Sequence, residues 1–235
     1  MDSAELKERV RELRGQGRSP KEIARELKVP PSVVAPIVRA IGAESAELAG
    51  AGEPEVAGCW ISTGWSARLG VDPARGWVDE APGSAAEGIE GMVCVLVARR
   101  HTWDRVTVAG YLADAYCLGV KNSIGPDVLD ERGLRRFREY FFGEYAGWQE
   151  APIELAQHLV FGSIDYARTL GFEPHEDFAT VSDVLGKWEG DAAITFGRDG
   201  RPFYMQGPHD DPGKVLRILR RTLSDDEFDY VIAAP

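Results

Sequence analysis

The stretch Met92–Asn122, MVCVLVARRHTWDRVTVAGYLADAYCLGVKN, constrains the fold more than any other part of the chain. It is the most apolar region, and its β-branched and aromatic residues suit a pleated, half-buried surface. Met92–Ala98 is an unbroken apolar run, which predicts a strand covered on both faces. Arg99–Arg105 interrupts the run with charge and predicts a hairpin loop. A regular strand beyond it places Val106, Val108, Gly110, Leu112, Asp114, Tyr116, Leu118 and Val120 on one face, because side chains alternate with period two. Asp114 then falls among Val, Leu and Tyr. An ionised carboxylate there needs a partner or takes a raised pKa, since desolvation disfavours its charged form. Two readings stay open: a structural Asp that accepts backbone or arginine hydrogen bonds where the strand ends, and a site carboxylate. Lys121 reaches Asp114 only if the backbone bends before it, for a straight strand puts it on the opposite face.

A chain of 235 residues suffices for one core of ordinary size and a small appendage. No run approaches the twenty or so apolar residues of a membrane span, and the acidic, polar start MDSAELKERV does not read as a secretory signal. A cytoplasmic protein with no membrane partner is expected. Cys59, Cys94 and Cys117 lack metal-ligand spacing and sit in apolar surroundings, as small buried hydrophobes do in a reducing compartment. The net charge of −11 is unevenly spread. Residues 1–43 hold nine Lys/Arg and six Asp/Glu, or +3; the remaining 18 basic and 32 acidic residues leave −14 for the rest. A mildly basic head on an acidic body follows, and so acidic a body is excluded as a nonspecific polyanion binder.

In the head, Leu6, Val10 and Leu13 recur at helical spacing and Gly15 closes the helix. Ser19, Pro20 and Glu22 form a capping-box start for a second helix that carries Ile23, Ala24 and Leu27 inward. Val29–Ser32 predicts a turn and residues 33–41 a third helix. This layout, SPKEIARELKVPPSVV, resembles the helix-turn-helix modules of bacterial regulators over about the first forty residues. The resemblance implies a third helix that enters the major groove. Here that helix reads VVAPIVRAI, with Pro36 inside it and Arg39 its only charge, which weakens base readout. Arg14, Arg18, Lys21, Arg25, Lys28 and Arg39 are the candidate phosphate contacts. An apolar third helix equally suits a protein partner or self-association.

Residues 44–58, rich in Ala, Gly and Glu, read as a linker, and residues 59–235 as an α+β domain. Its expected parts are a strand Cys59–Trp65, a partly mobile surface loop Ser66–Gly91, and the Met92–Val120 hairpin ended by Gly125-Pro126. The hairpin and first strand would make a mainly antiparallel sheet of three or four strands, packed by helices over Leu129–Gly143 and Pro152–Leu170. A second hairpin is expected from Ala192–Phe196 and Pro202–Gln206 around the Asp199-Gly200 turn, and a helix from Asp211 to about Leu223. Ser224 with Glu227 predicts a last short helix.

Four residues are candidates for catalysis: Asp114, and Glu154, His158 and Asp165, which share the helix stripe opposite the core face. Together they would suit a hydrolase or nuclease, although a polar stripe is also what any surface helix shows. Phe161 in the stripe implies that something covers it. His175 with Asp177, and His209 with Asp210 and Asp211, mix His and carboxylate without metal-ligand spacing, and no metal or cofactor is expected. Four arginines near Tyr140, Phe142, Tyr145 and Trp148 could make a single-strand surface, against the simpler reading of a solvated amphipathic helix. An exposed apolar patch at Phe161 or Phe142 would instead mark an interaction scaffold. The segments DAYCLGVK, LAQHLVFG, GFEPHEDF and FGRDGRPFY resemble an uncharacterised group of bacterial, actinobacterial-type proteins over most of residues 59–210. That resemblance implies one domain and supplies no catalytic residue. The sequence favours a regulatory or nucleic-acid-associated binding protein.

Overall fold

The apolar run Met92–Ala98 lies in the central strand of a five-stranded sheet. The computed structural model describes residues 3–15, 20–30, 33–34, 36–38, 53–84, 89–188, 190 and 193–232. The chain divides into two units, Met1–Glu55 with Thr102–Asp104, and Val56–His101 with Arg105–Pro235. In the first, α1 (Ser3–Gly15) and α2 (Pro20–Glu26) are followed by helical residues at 33–34 and 36–38. Val10, Leu13, Ile23, Ala24 and Val34 form its core. Lys28 takes the left-handed conformation (φ 54°) and the Val29 N–H donates to the Ala24 carbonyl at 3.0 Å, which closes α2.

In the second unit the sheet order is β5-β4-β3-β1-β6, from β1 (Val56–Ser62), β3 (Met92–Thr102), β4 (Arg105–Asp114), β5 (Gly119–Asp130) and β6 (Trp148–Glu150). The period-two alternation sorts side chains into two cores. Val93, Val95, Val97, Ala109, Tyr111 and Ala113 face α4 (Ile153–Thr169), whose Leu155, Ala156, Leu159, Val160 and Ile164 join the same cluster. Cys94, Leu96, Ala98, Val106 and Val108 face the other way, toward Leu134, Phe137 and Phe141 of α3 (Glu131–Phe141). Both faces of β3 are therefore covered. The Asp130 carboxylate caps α3 by accepting the Gly133 N–H at 2.7 Å, and Gly171 (φ 94°) follows the end of α4. Among the described residues, no helix is long and apolar enough to cross a membrane.

Several expectations are corrected. The first strand begins at Val56, inside the predicted linker, and β3 runs to Thr102, so the hairpin turn is shorter than predicted. The predicted strand through Val120 is two strands, β4 and β5, paired antiparallel from Asp114↔Gly119 outward. Gly125-Pro126 does not end the sheet segment but lies within β5, where a missing N–H is tolerated on an edge strand. The Asp199-Gly200 turn forms with positive φ at both residues and an antiparallel bridge between Arg198 and Arg201, but the predicted strands on either side pair elsewhere and not with each other. β7 (Ile194–Thr195) pairs with β2 (Gly70–Val71), and β8 (Phe203–Met205) pairs in parallel with β9 (Asp229–Val231). α5 spans Phe178–Leu185, and α6 (Pro212–Thr222) starts at Asp211 as expected. The Ser224 N–H and hydroxyl both donate to Glu227 Oε2, at 2.8 and 2.6 Å, but a turn into β9 follows rather than a helix, with Phe228 buried behind it. The 66–84 loop is pinned: Asp79 accepts the N–H groups of Gly64 and Ser66, and Gln149 holds Val78 and Glu80.

Candidate functional site

The turn Ala115–Leu118 is built by one carboxylate. Asp114, the last residue of β4, accepts the N–H of Tyr116 at 2.9 Å and of Cys117 at 3.1 Å, both on Oδ1. An aspartate that satisfies donors two and three residues on offers the chain a turn in place of a continued ladder. Gly119 (φ 69°) completes the reversal, packed so closely on α4 that a Cβ would sit 2.8 Å from that of Ala167. The turn also anchors distant backbone. Ala115 N–H donates to Gly91 O at 2.8 Å, Gly197 N–H to Ala115 O at 3.0 Å, and Phe203 N–H to Tyr116 O at 3.2 Å. These bonds tie both flanks of the Asp199-Gly200 turn to consecutive carbonyls of the Ala115–Leu118 turn, so the backbone groups of Gly197 and Phe203 are spent there and not on a ladder between the flanks.

Beside this turn lies a cavity of about 880 Å³. Five stretches of chain line it: 89–92, 112–122, 144–145, 175 and 203–210. Asp114 is buried and reaches the lining. Its pKa is pushed up to about 6, first by desolvation, against the pull of the Tyr116 N–H and the charge of Lys121. The backbone bend before Lys121 does occur, but the ion-pair partner of Lys121 is Asp210, at 2.8 Å. The same Asp210 oxygen accepts the Gly207 N–H at 2.8 Å. Aromatic and thioether walls come from Tyr116, Tyr145, Phe203, Met92 and Met205. The Tyr116 hydroxyl is fixed by donation to Ala67 O at 2.8 Å.

The α4 stripe has a different fate. His158 is buried between Trp77 and Trp188, each ring centroid 4.9 Å away. Its Nδ1 accepts the Ala193 N–H at 2.9 Å, so the neutral ring carries its proton on Nε2. Burial, then the charge of Arg75, lowers the His158 pKa. Asp165 is exposed and accepts the Trp188 indole N–H at 3.1 Å, while Glu154 is exposed on the first turn of α4. Trp188 stacks on Phe161, which supplies the cover that Phe161 implied. Among the described residues no hydrogen bond or ion pair joins Asp114 to Glu154, His158 or Asp165, and none of those three lines the cavity.

Comparison with known proteins adds no relative. The chain matches no family model, no curated protein and no solved structure. The remaining candidates take structural places. Asp211 caps α6 through the Lys214 N–H at 3.0 Å, and His175 accepts the Asp177 N–H at 3.3 Å. Among the described residues no group of three or more His, Cys, Asp or Glu is placed to hold a metal. The three cysteines are buried and free, and burial pushes the thiols of Cys59 and Cys94 up to about 12. Arg138 lies over Trp60 at 4.7 Å and Trp148 at 4.0 Å, and Phe142 is buried, so Phe142 offers no exposed apolar patch. In the head, Arg25 and Lys28 are exposed. Arg14 and Lys21 lie on α1 and α2, described there by backbone alone; Arg18 and Arg39 lie outside the described residues.

Sequence reasoning singled out Asp114 but missed the Lys121–Asp210 pair and the aromatic walls. The local signal was the Asp114/Lys121 spacing within one apolar segment. The partners arrive from up to 89 residues further along the chain.

Proposed function

We propose that the chain is a regulatory binding protein: a helix-turn-helix-like head at residues 1–43 contacts duplex DNA or a protein partner, and the α+β body takes a small molecule in the cavity at the Asp114 turn. The cavity carries this reading. Its volume of about 880 Å³ lies within the usual size of small-molecule sites. Its walls combine the aromatic and aliphatic surfaces of Ile89, Met92, Leu112, Tyr116, Tyr145 and Phe203 with polar groups that can fix a guest's orientation. Binding is favoured over hydrolysis because none of the other three candidate catalytic residues lines the cavity with Asp114: His158 Nδ1 accepts the Ala193 N–H, the Asp165 carboxylate accepts the Trp188 indole N–H, and Glu154 lies outside the lining.

The head reading rests on exposed Arg25 and Lys28 and on the basic balance of residues 1–43. Val33, 40% exposed, favours the protein-partner version of the same contact. Full-length protein titrated with duplex DNA separates the two. A DNA-binding head gives retention that falls steeply as salt rises and weakens in the Lys21→Ala/Arg25→Ala double variant. No retention at low salt removes the DNA version and leaves a protein contact.

A further inference from the structure

The charge and walls of the cavity narrow the class of molecule it holds. Four carboxylates line it, Glu90, Asp114, Glu144 and Asp210, against a single lysine, Lys121. Glu90 is met by Arg198 at 3.7 Å and Asp210 by Lys121 at 2.8 Å. Among the described residues neither Asp114 nor Glu144 stands in an ion pair. Asp114 is only 5% exposed and accepts the Tyr116 and Cys117 N–H groups on Oδ1, with a further backbone bond from Leu118, so a buried carboxylate held by backbone N–H groups alone stands at the cavity. An anion finds the lining lysine already paired. A cation finds two uncompensated carboxylates.

The walls suit the same guest. Tyr116 and Phe203 meet edge to face at 6.3 Å, and Tyr145 lines the cavity with them. Aromatic faces attract cations through the ring quadrupole, and Phe203 already carries the Arg198 guanidinium 4.7 Å from its centroid. The charge of −14 over residues 44–235 adds a long-range field that concentrates cations and repels phosphates and carboxylates.

We infer that the cavity takes a small organic cation, an amine or amidine on an apolar body, with its charged end at Asp114 and Glu144 and its body against Tyr116, Tyr145 and Phe203. The inference rests on the reading of the cavity as a ligand site and adds the charge and shape of the ligand. An ammonium placed at Asp114 gives this desolvated carboxylate a charge-assisted hydrogen bond, the strongest polar contact available there.

Calorimetric titration of the full-length chain with three probes of matched shape tests it: phenethylamine as the cation, 2-phenylethanol as the neutral form and phenylacetate as the anion. Phenethylamine is expected to bind at least tenfold more tightly than the other two, as a charged hydrogen bond implies. Asp114→Asn keeps the Oδ1 acceptor that builds the turn and should weaken phenethylamine about tenfold. Glu144→Gln, at an exposed position that the fold does not depend on, should weaken it about twofold to threefold. Equal or tighter binding of the alcohol or of phenylacetate, or an unchanged affinity in both variants, overturns the cationic assignment and leaves the ligand-site reading standing. Binding of none of the three overturns both.

Discussion

Asp114 and His158 are buried to nearly the same degree, 5% and 8% exposed, and each accepts backbone N–H groups, yet they occupy opposite situations. His158 is walled by two indoles, and what it holds is the Ala193 backbone. Asp114 holds a turn with one oxygen and faces an open cavity. Burial of an ionisable group therefore does not mark a site by itself. What decides is whether the space in front of the group is filled by protein. A neutral imidazole between tryptophans is a packing element with a polar edge, whereas a carboxylate at a cavity wall keeps its charge available to a guest.

The contrast breaks first at Asp114 itself. Asp114→Ala removes the acceptor of two buried N–H groups in a turn that anchors three other segments, and should cost about 3 kcal/mol or more relative to Asp114→Asn, at about 1–3 kcal/mol for each unsatisfied group. Urea unfolding of the two variants measures the gap; equal stabilities would mean that the turn does not depend on the carboxylate.

The second test is the direction of pH dependence. The Asp114 pKa is raised from 3.8 to about 6, so the folded state binds this proton more tightly than the unfolded one. Its contribution is fully present below about pH 4 and is lost as pH rises through about 6, a change on the order of 3 kcal/mol. His158 has the opposite sign: its folded pKa lies below 6.5, so its contribution is present above that value and is lost as pH falls through the lower folded one. Subtracting Asp114→Asn and His158→Gln stability curves from the wild-type curve should give opposite slopes, and slopes of the same sign would contradict the account of both environments.

Smaller effects sharpen the same comparison. Trp188→Ala uncovers Phe161 and His158 and frees the Asp165 carboxylate, which should cost about 2 kcal/mol for a partly buried aromatic and leave probe binding at the cavity unchanged. Lys121→Met breaks the ion pair with Asp210 and should cost about 1 kcal/mol, while phenethylamine affinity rises because one more carboxylate faces the cavity uncompensated. A fall in affinity in Lys121→Met would show that the lysine, and not the acids, selects the ligand.

The sequence made the sheet's centre legible because its signal is local. Met92–Ala98 carries apolar residues on both faces, and both faces are covered. The cost of charge at Asp114 was legible for the same reason. The end of its strand was not, because Tyr116, Leu118 and Val120 keep the strand alternation while the carboxylate two residues earlier turns the backbone. At Asp199-Gly200 the turn and its closing Arg198–Arg201 bridge were local and legible, but Gly197 and Phe203 beyond the bridge bond to carbonyls 82 and 87 residues earlier, at Ala115 and Tyr116. His158 looked like surface because Trp77 and Trp188 reach it from outside the helix period. The cavity draws on five separated stretches, so no single window of sequence contains it.

The central claim is that ligand enters at Asp114 and not at His158, and the methionines report on it directly. Met92 and Met205 both line the cavity, whereas the indole N–H groups of Trp77 and Trp188 flank or hold the α4 stripe. Methyl-labelled methionine and indole N–H resonances, assigned by single substitutions, are followed together as phenethylamine is added to the full-length chain. The account predicts saturable shifts of both Met92 and Met205 with the Trp77 and Trp188 signals in place; movement of the tryptophan signals with both methyls unchanged would contradict it.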